Sequence, residues 1–136
     1  MSNWLNKSNV SLEVANKGEL VAYNNVRVHC YYYGCVQFLL HVLHVHFKMS
    51  VEDIRDNTNP KLNGGTGTHV WLHKKFKDEL LTKSRFDALD LNNYLGQLKR
   101  LRTVADYGYD SITNTEISGA ELLTEKIEKI LKKHYN

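Results

Sequence analysis

At 136 residues, with 42% hydrophobic and 24% charged side chains, the chain fits one globular domain spanning 1–136. That length can bury a core without disulfide or metal staples, and a single proline in this mixture argues against long disordered stretches. A net charge of +3 is mild for a dedicated duplex-binding protein, which carries a stronger and more clustered basic footprint.

The cations fall into three groups: Lys74, Lys75 and Lys77; Lys99, Arg100 and Arg102; and Lys126, Lys129, Lys132 and Lys133. Asp78, Glu79, Glu125 and Glu128 are interleaved with the first and last groups, which read as solvated helix faces. Met1–Asn25 is polar and lacks the apolar core of a secretory signal, so a cytoplasmic protein is expected. Cys30 and Cys35 fall in one predicted helix with side chains about 140° apart, too divergent to bridge, and reduced buried thiols are expected.

The first predicted helix covers Asn3–Gly18, with a weak apolar stripe through Trp4, Leu5, Leu12 and Ala15 and Gly18 as its stop. The second covers Val21–Lys48. Val26, Cys30, Tyr33, Gln37, Leu40, His44 and Phe47 recur on one face at steps of three and four. Tyr32, Val36, Leu39 and Leu43 occupy the other side, so this helix is apolar nearly all round and should be central. Its apolar run Val28–Phe47 includes His29, Gln37, His41, His44 and His46, which are costly in hydrocarbon, so no membrane span is expected.

Ser50-Val-Glu-Asp53 resembles a helix start that gives only a short turn. Asp56–Thr68 is rich in Asn, Gly and Thr and reads as a loop. Its Gly64-Gly65-Thr66-Gly67 tip is no phosphate loop, because no Gly-Lys-Ser/Thr follows and no strand precedes it. A third long helix runs over Thr68–Lys83, with His69, Leu72, Phe76 and Leu80 on one face. A fourth runs over Asp87–Tyr107, with Leu91, Leu95, Leu98, Arg102 and Ala105 as its stripe and Tyr94 and Leu101 beside it. After a loop at Asp110–Asn114, Thr113 and Glu116 form a capping-box pattern. It opens a last helix that reaches His134 with Ile117, Ala120, Thr124, Ile127 and Leu131 at helical spacing. The expected fold is all-α, an antiparallel bundle of four or five helices in up-and-down order.

Seven histidines raise the question of a metal. His69 and His73 have the i, i+4 spacing of two ligands on one helical face, but Val70 stands where a zinc-protease helix needs Glu. His41 and His44 complete no set either, so neither metal nor cofactor is expected. Neither cysteine lies in an activating motif, no serine elbow is visible, and Glu52 with Asp53 looks solvated beside its loop.

Arg102 is the unusual residue. It stands in register with Leu98 and Ala105, where the stripe should bury an apolar side chain, and a buried guanidinium needs a partner. Asp106 is within reach at i+4, and Tyr107, Tyr109 and Asp110 follow. Two readings stand: an internal Arg102–Asp106 staple, or a guanidinium held in a groove for a phosphate.

Three segments together resemble the HEPN family. Arg27-Val-His-Cys-Tyr-Tyr-Tyr-Gly-Cys-Val-Gln-Phe38 is similar to the family's second helix with its Tyr-Tyr pair. Gly67-Thr-His69 through Phe76 is similar to a Thr/Ser-His helix opening with an aromatic residue beyond. Leu98–Tyr107 holds Arg102-x-x-Ala-Asp-Tyr107, a signature of one broad branch. The resemblance spans roughly residues 3–134. It implies a four- to five-helix bundle, frequently a homodimer, in a prokaryotic toxin–antitoxin or defence setting, with an RNA or nucleotide ligand and in some members a small nucleotidyltransferase partner. It points to a groove of Arg102, Asp106 and Tyr107 with His29, Tyr32, Tyr33 and His69.

The family's ribonuclease motif, Arg followed after four to six residues by His, is missing, since Tyr107, Gly108 and Tyr109 stand at those distances from Arg102. Whether the chain is an enzyme is therefore left open. A ribonuclease with relocated proton-transfer groups would draw on His29 or His69, and a non-catalytic dimerisation or protein-interaction module is the alternative.

Overall fold

The computed structural model describes residues 3–17 and 23–136. Among them are six α-helices: α1 (Asn3–Ala15), α2 (Asn24–Val45), α3 (Val51–Thr58), α4 (Thr68–Leu81), α5 (Arg85–Tyr107) and α6 (Asn114–His134), with no strand. The all-α expectation holds, with six helices in place of four or five. Gly18 and the first residues of the predicted second helix lie outside the described residues.

The helix starts follow local capping chemistry. Thr113 and Glu116 form the reciprocal capping box at the head of α6. The Ser50 hydroxyl accepts from the Asp53 amide and starts α3. With that cap and acids in its first turn, α3 continues for two turns to Thr58, so Asp56–Thr58 is helical and not part of the loop. Ser84 caps α5 in the same way through the Asp87 amide, which starts that helix at Arg85, earlier than its apolar pattern indicates.

α2 is central and packs against α1, α3, α5 and α6. Its buried side is Val28, Tyr31, Tyr32, Cys35, Val36, Phe38, Leu39, Val42 and Leu43. The series from Val26 to Phe47 is the less covered side, half-buried for most of its length and exposed at Val26. A helix apolar all round carries no local mark of which stripe its neighbours cover. On α1, Ser8 is fully buried although polar, because its hydroxyl donates to the Gly34 carbonyl at 2.7 Å.

Directions follow from paired residues. Trp4 meets His44 and Ala15 meets Arg27, so α1 opposes α2; His29 meets Asp106, so α5 opposes α2 as well. Asp87 meets His134, so α5 and α6 are antiparallel. Tyr32 meets His69 and Phe47 meets Phe76, so α4 runs in the same sense as α2, and α3 with the Asn-Gly loop carries the chain back between them. Gly64 and Gly65 make that return with φ of +82° and +89°, the left-handed region open to glycine.

Cys35 is buried and Cys30 half-buried, and both are free thiols. Burial pushes Cys35 up to about 12 and raises Cys30, which keeps both protonated near neutrality. No described helix is long and apolar enough to cross a membrane.

Gly34 sets how closely α1 approaches α2. A Cβ there would lie 2.6 Å from Leu12 Cδ2 and 2.8 Å from Leu12 Cγ. Alanine would recover up to about 1 kcal/mol of helix propensity against that clash, whereas a branched side chain has no room at all. Gly34→Val is expected to lower stability by about 2 kcal/mol. Urea unfolding checks this, and an unchanged midpoint would show that the helices are not in close contact.

Candidate functional site

Six of the seven side chains expected at a groove come together on the face shared by α2, α4 and α5. Arg102 is at its centre and only 8% exposed. Its guanidinium carbon lies 5.4 Å from the Tyr32 ring centre and 5.7 Å from that of Tyr33, so two π faces from α2 hold the cation. Arg102 Nη1 is 3.6 Å from Asp106 Oδ2, a long contact with a carboxylate whose side chain is 22% exposed. Arg102 Nε is buried and has no hydrogen-bond partner among the described residues. A staple alone therefore leaves the guanidinium incompletely satisfied, which costs free energy unless another acceptor arrives.

Asp106 is shared. His29 Nδ1 lies 3.1 Å from both of its oxygens, and because a carboxylate only accepts, this nitrogen carries the proton. The His29 ring packs on Tyr33 with centroids 4.5 Å apart. Behind this pair, the Asn25 amide donates to the Ala105 carbonyl and its oxygen accepts from the Ile112 amide, which pins the end of α5 against the start of α2. Asn25, Val26, His29, Ala105, Asp106 and Tyr107 line an open depression of about 430 Å³. Tyr107 is 79% exposed and stands at its rim, so it borders the cluster without joining it.

On the other side of Arg102, the fully buried Tyr32 hydroxyl lies 2.8 Å from His69 Nδ1 and 3.2 Å from His73 Nε2. The hydroxyl carries one proton, so it donates to one ring and accepts N–H from the other. The i, i+4 pair that resembles half a zinc site thus closes on a tyrosine. Among the described residues no group of three His, Cys, Asp or Glu could hold a metal.

Burial, then Arg102 and Lys99, lowers His69; burial, then Lys99 and His69, brings His73 down to about 4. Burial raises Tyr32 well above its ordinary range against the opposing pull of Arg102. Near neutrality the Tyr32–His69–His73 relay is uncharged and sits beside a fixed cation.

Two participants were missed by sequence reasoning. His73 is in register with His69, but its tie to Tyr32 depends on how α4 packs. Lys99 reads as one charge in a cluster, yet it lines a second open depression of about 440 Å³ with Val70, His73, Lys74, Lys77, Asp78 and Asn92. The first lysine group therefore divides: Lys74 and Lys75 pair with Asp78 and Glu79 along α4, while Lys77 faces this depression. In the last group Lys132 pairs with Glu128 and Lys133 with Asp87, as expected of a solvated face.

Removing the phenolic oxygen isolates its contribution. Tyr32→Phe keeps the ring under Arg102 but strands two half-buried imidazole nitrogens, and is expected to cost about 1–2 kcal/mol in chemical denaturation. Unchanged stability would show that the relay contributes nothing to the fold.

No protein family matches this chain, and no curated protein or solved structure is significantly similar to it.

Proposed function

We propose that this chain is a HEPN-like helical protein that binds a phosphate-bearing ligand, RNA or a nucleotide, on the Arg102 face, in a prokaryotic toxin–antitoxin or defence setting. The observation that carries the reading is the buried guanidinium of Arg102, packed on the Tyr32 and Tyr33 rings, with its Nε unsatisfied among the described residues. A phosphate oxygen is the acceptor such a group lacks, and a desolvated guanidinium binds it strongly. The HEPN resemblance is supported by one further circumstance. The three segments that carry it contribute Tyr32 and Tyr33, His69, and Arg102 with Asp106 to a single cluster.

Titration of the purified protein with nucleotides and short RNAs tests the ligand class. Binding with a shallow salt dependence is expected, because few phosphates meet the site. No binding across the panel would overturn the reading. The biological setting is tested separately by the neighbouring gene: a small nucleotidyltransferase that co-purifies with the chain is expected.

The alternative, a non-catalytic dimerisation or protein-interaction module, is favoured by the exposure of Val26, Val104, Tyr107 and Tyr109 around the end of α5. Sedimentation of the wild-type chain and of Tyr107→Ser distinguishes the two. A dimer lost in the variant together with undiminished ligand binding would assign this rim to subunit contact and the Arg102 face to ligand.

A further inference from the structure

The Arg102 face is electrically lopsided along its length. Lys99, Arg102 and Asp106 follow one another on α5, with Lys99 and Asp106 about 10 Å apart along the helix axis. At the Lys99 end, α4 adds His73 and Lys77 around the same depression, and Lys74 is already held by Asp78. Neither Lys77 nor Lys99 makes an ion pair among the described residues. At the opposite end stand a carboxylate, an imidazole fixed by it, and the Asn25 amide. Arg102 stands between Lys99 and Asp106 along α5 without lining either depression, and its buried Nε has no partner among the described residues.

An internal stretch of nucleic acid carries a phosphate at every residue, so a strand crossing this face would bring one onto the Asp106 carboxylate. A ligand charged at one end only meets no such conflict. Its phosphates would sit with Lys99, Lys77 and Arg102, and its sugar hydroxyls would donate to Asp106, which accepts and cannot repel them.

Resting on the phosphate-binding reading above, we infer that this face recognises a terminal phosphate on a ribose, either a free nucleotide or the phosphorylated end of an RNA, with the phosphate toward Lys99 and the sugar toward Asp106. A terminal phosphate is close to doubly charged near neutrality, against one charge for an internal diester, and so draws more from Lys77 and Lys99.

Calorimetric titration tests this with ADP and adenosine, and with a short RNA bearing a 5′- or 3′-terminal phosphate against the same RNA with hydroxyls at both ends. At least one phosphorylated ligand is expected to bind about 10-fold or more tightly than its phosphate-free counterpart. Lys99→Ala should erase that preference, and Lys129→Ala on α6 should leave it intact. The ADP and RNA arms separate the two sources of the phosphate. Equal affinity for both forms of the RNA, or a Lys99→Ala loss equal for both, would mean that the face tracks internal phosphates. The inference then falls while the phosphate-binding reading stands. Failure of every phosphate-bearing ligand to bind would overturn both.

Discussion

Replacing Arg102 with alanine is expected to weaken RNA or nucleotide binding about 10- to 100-fold while lowering stability by no more than about 1 kcal/mol. The small stability loss follows from opposing effects. Truncation removes the contacts with Tyr32 and Tyr33 and a long ion pair to a partly exposed carboxylate, worth about 1–2 kcal/mol together. It also removes a buried Nε that has no partner among the described residues and weighs against the folded state. A purely structural guanidinium would behave otherwise: deleting one member of a satisfied buried pair costs about 3–5 kcal/mol. Binding isotherms and thermal melts of the same variant separate the outcomes. Large destabilisation with undiminished binding would make Arg102 a staple.

Acidification is the second strong lever. His73 is brought down to about 4 by burial and by Lys99 and His69, and His69 is lowered by burial, Arg102 and Lys99. In the unfolded chain both titrate near the ordinary histidine value of about 6.5. Between these limits the unfolded state takes up protons that the folded state refuses, so stability falls as pH drops from about 6.5 toward about 4. Above pH ~7 both states hold neutral rings and the effect vanishes. His41, lowered by burial and by His46 and His44, adds to the same slope from the far end of α2.

Asp87 does not share this window. Hydrogen bonds from Lys133 and His134 hold its carboxyl below the usual range, and its contribution is lost only as pH falls through that lowered value. The melting temperature is therefore expected to fall by several degrees between pH 7 and pH 5. His73→Gln, which retains a polar group for the Tyr32 hydroxyl, should flatten part of that fall. A melting curve indifferent to pH over this range would mean that the imidazoles are solvated.

The parts of this site that were legible in the sequence are those written at helical spacing. Leu91, Leu95, Leu98 and Ala105 form the buried stripe of α5, and Arg102 in that register is buried with them. The capping box at Thr113 and Glu116 is equally local. What was not legible depends on which helices meet. Nothing around Ser8 indicates that the Gly34 carbonyl will accept its hydroxyl, so a buried serine reads as a gap in a weak stripe. Asn24 and Asn25 fall within the predicted second helix without marking a contact, yet their side chains tie the start of α2 to Ile112, the end of α5 and the start of α6. His69 and His73 share a face at metal-ligand spacing, and only the approach of Tyr32 from α2 makes them a hydrogen-bonded relay. The covered side of α2 is obscured for a related reason: hydrophobic side chains surround that helix, and the positions of α1, α5 and α6 decide which are buried.

The central claim, that a phosphate-bearing ligand completes the unsatisfied Arg102 site, is tested most directly by nuclear magnetic resonance during titration with ADP. The Arg102 Nε–H signal and the imidazole signals of His69 and His73 are expected to shift together and saturate at one ligand concentration, with the Lys126–Lys133 region unmoved. Shifts confined to that α6 lysine face, or an Arg102 Nε–H signal unchanged at saturating ADP, would contradict the account.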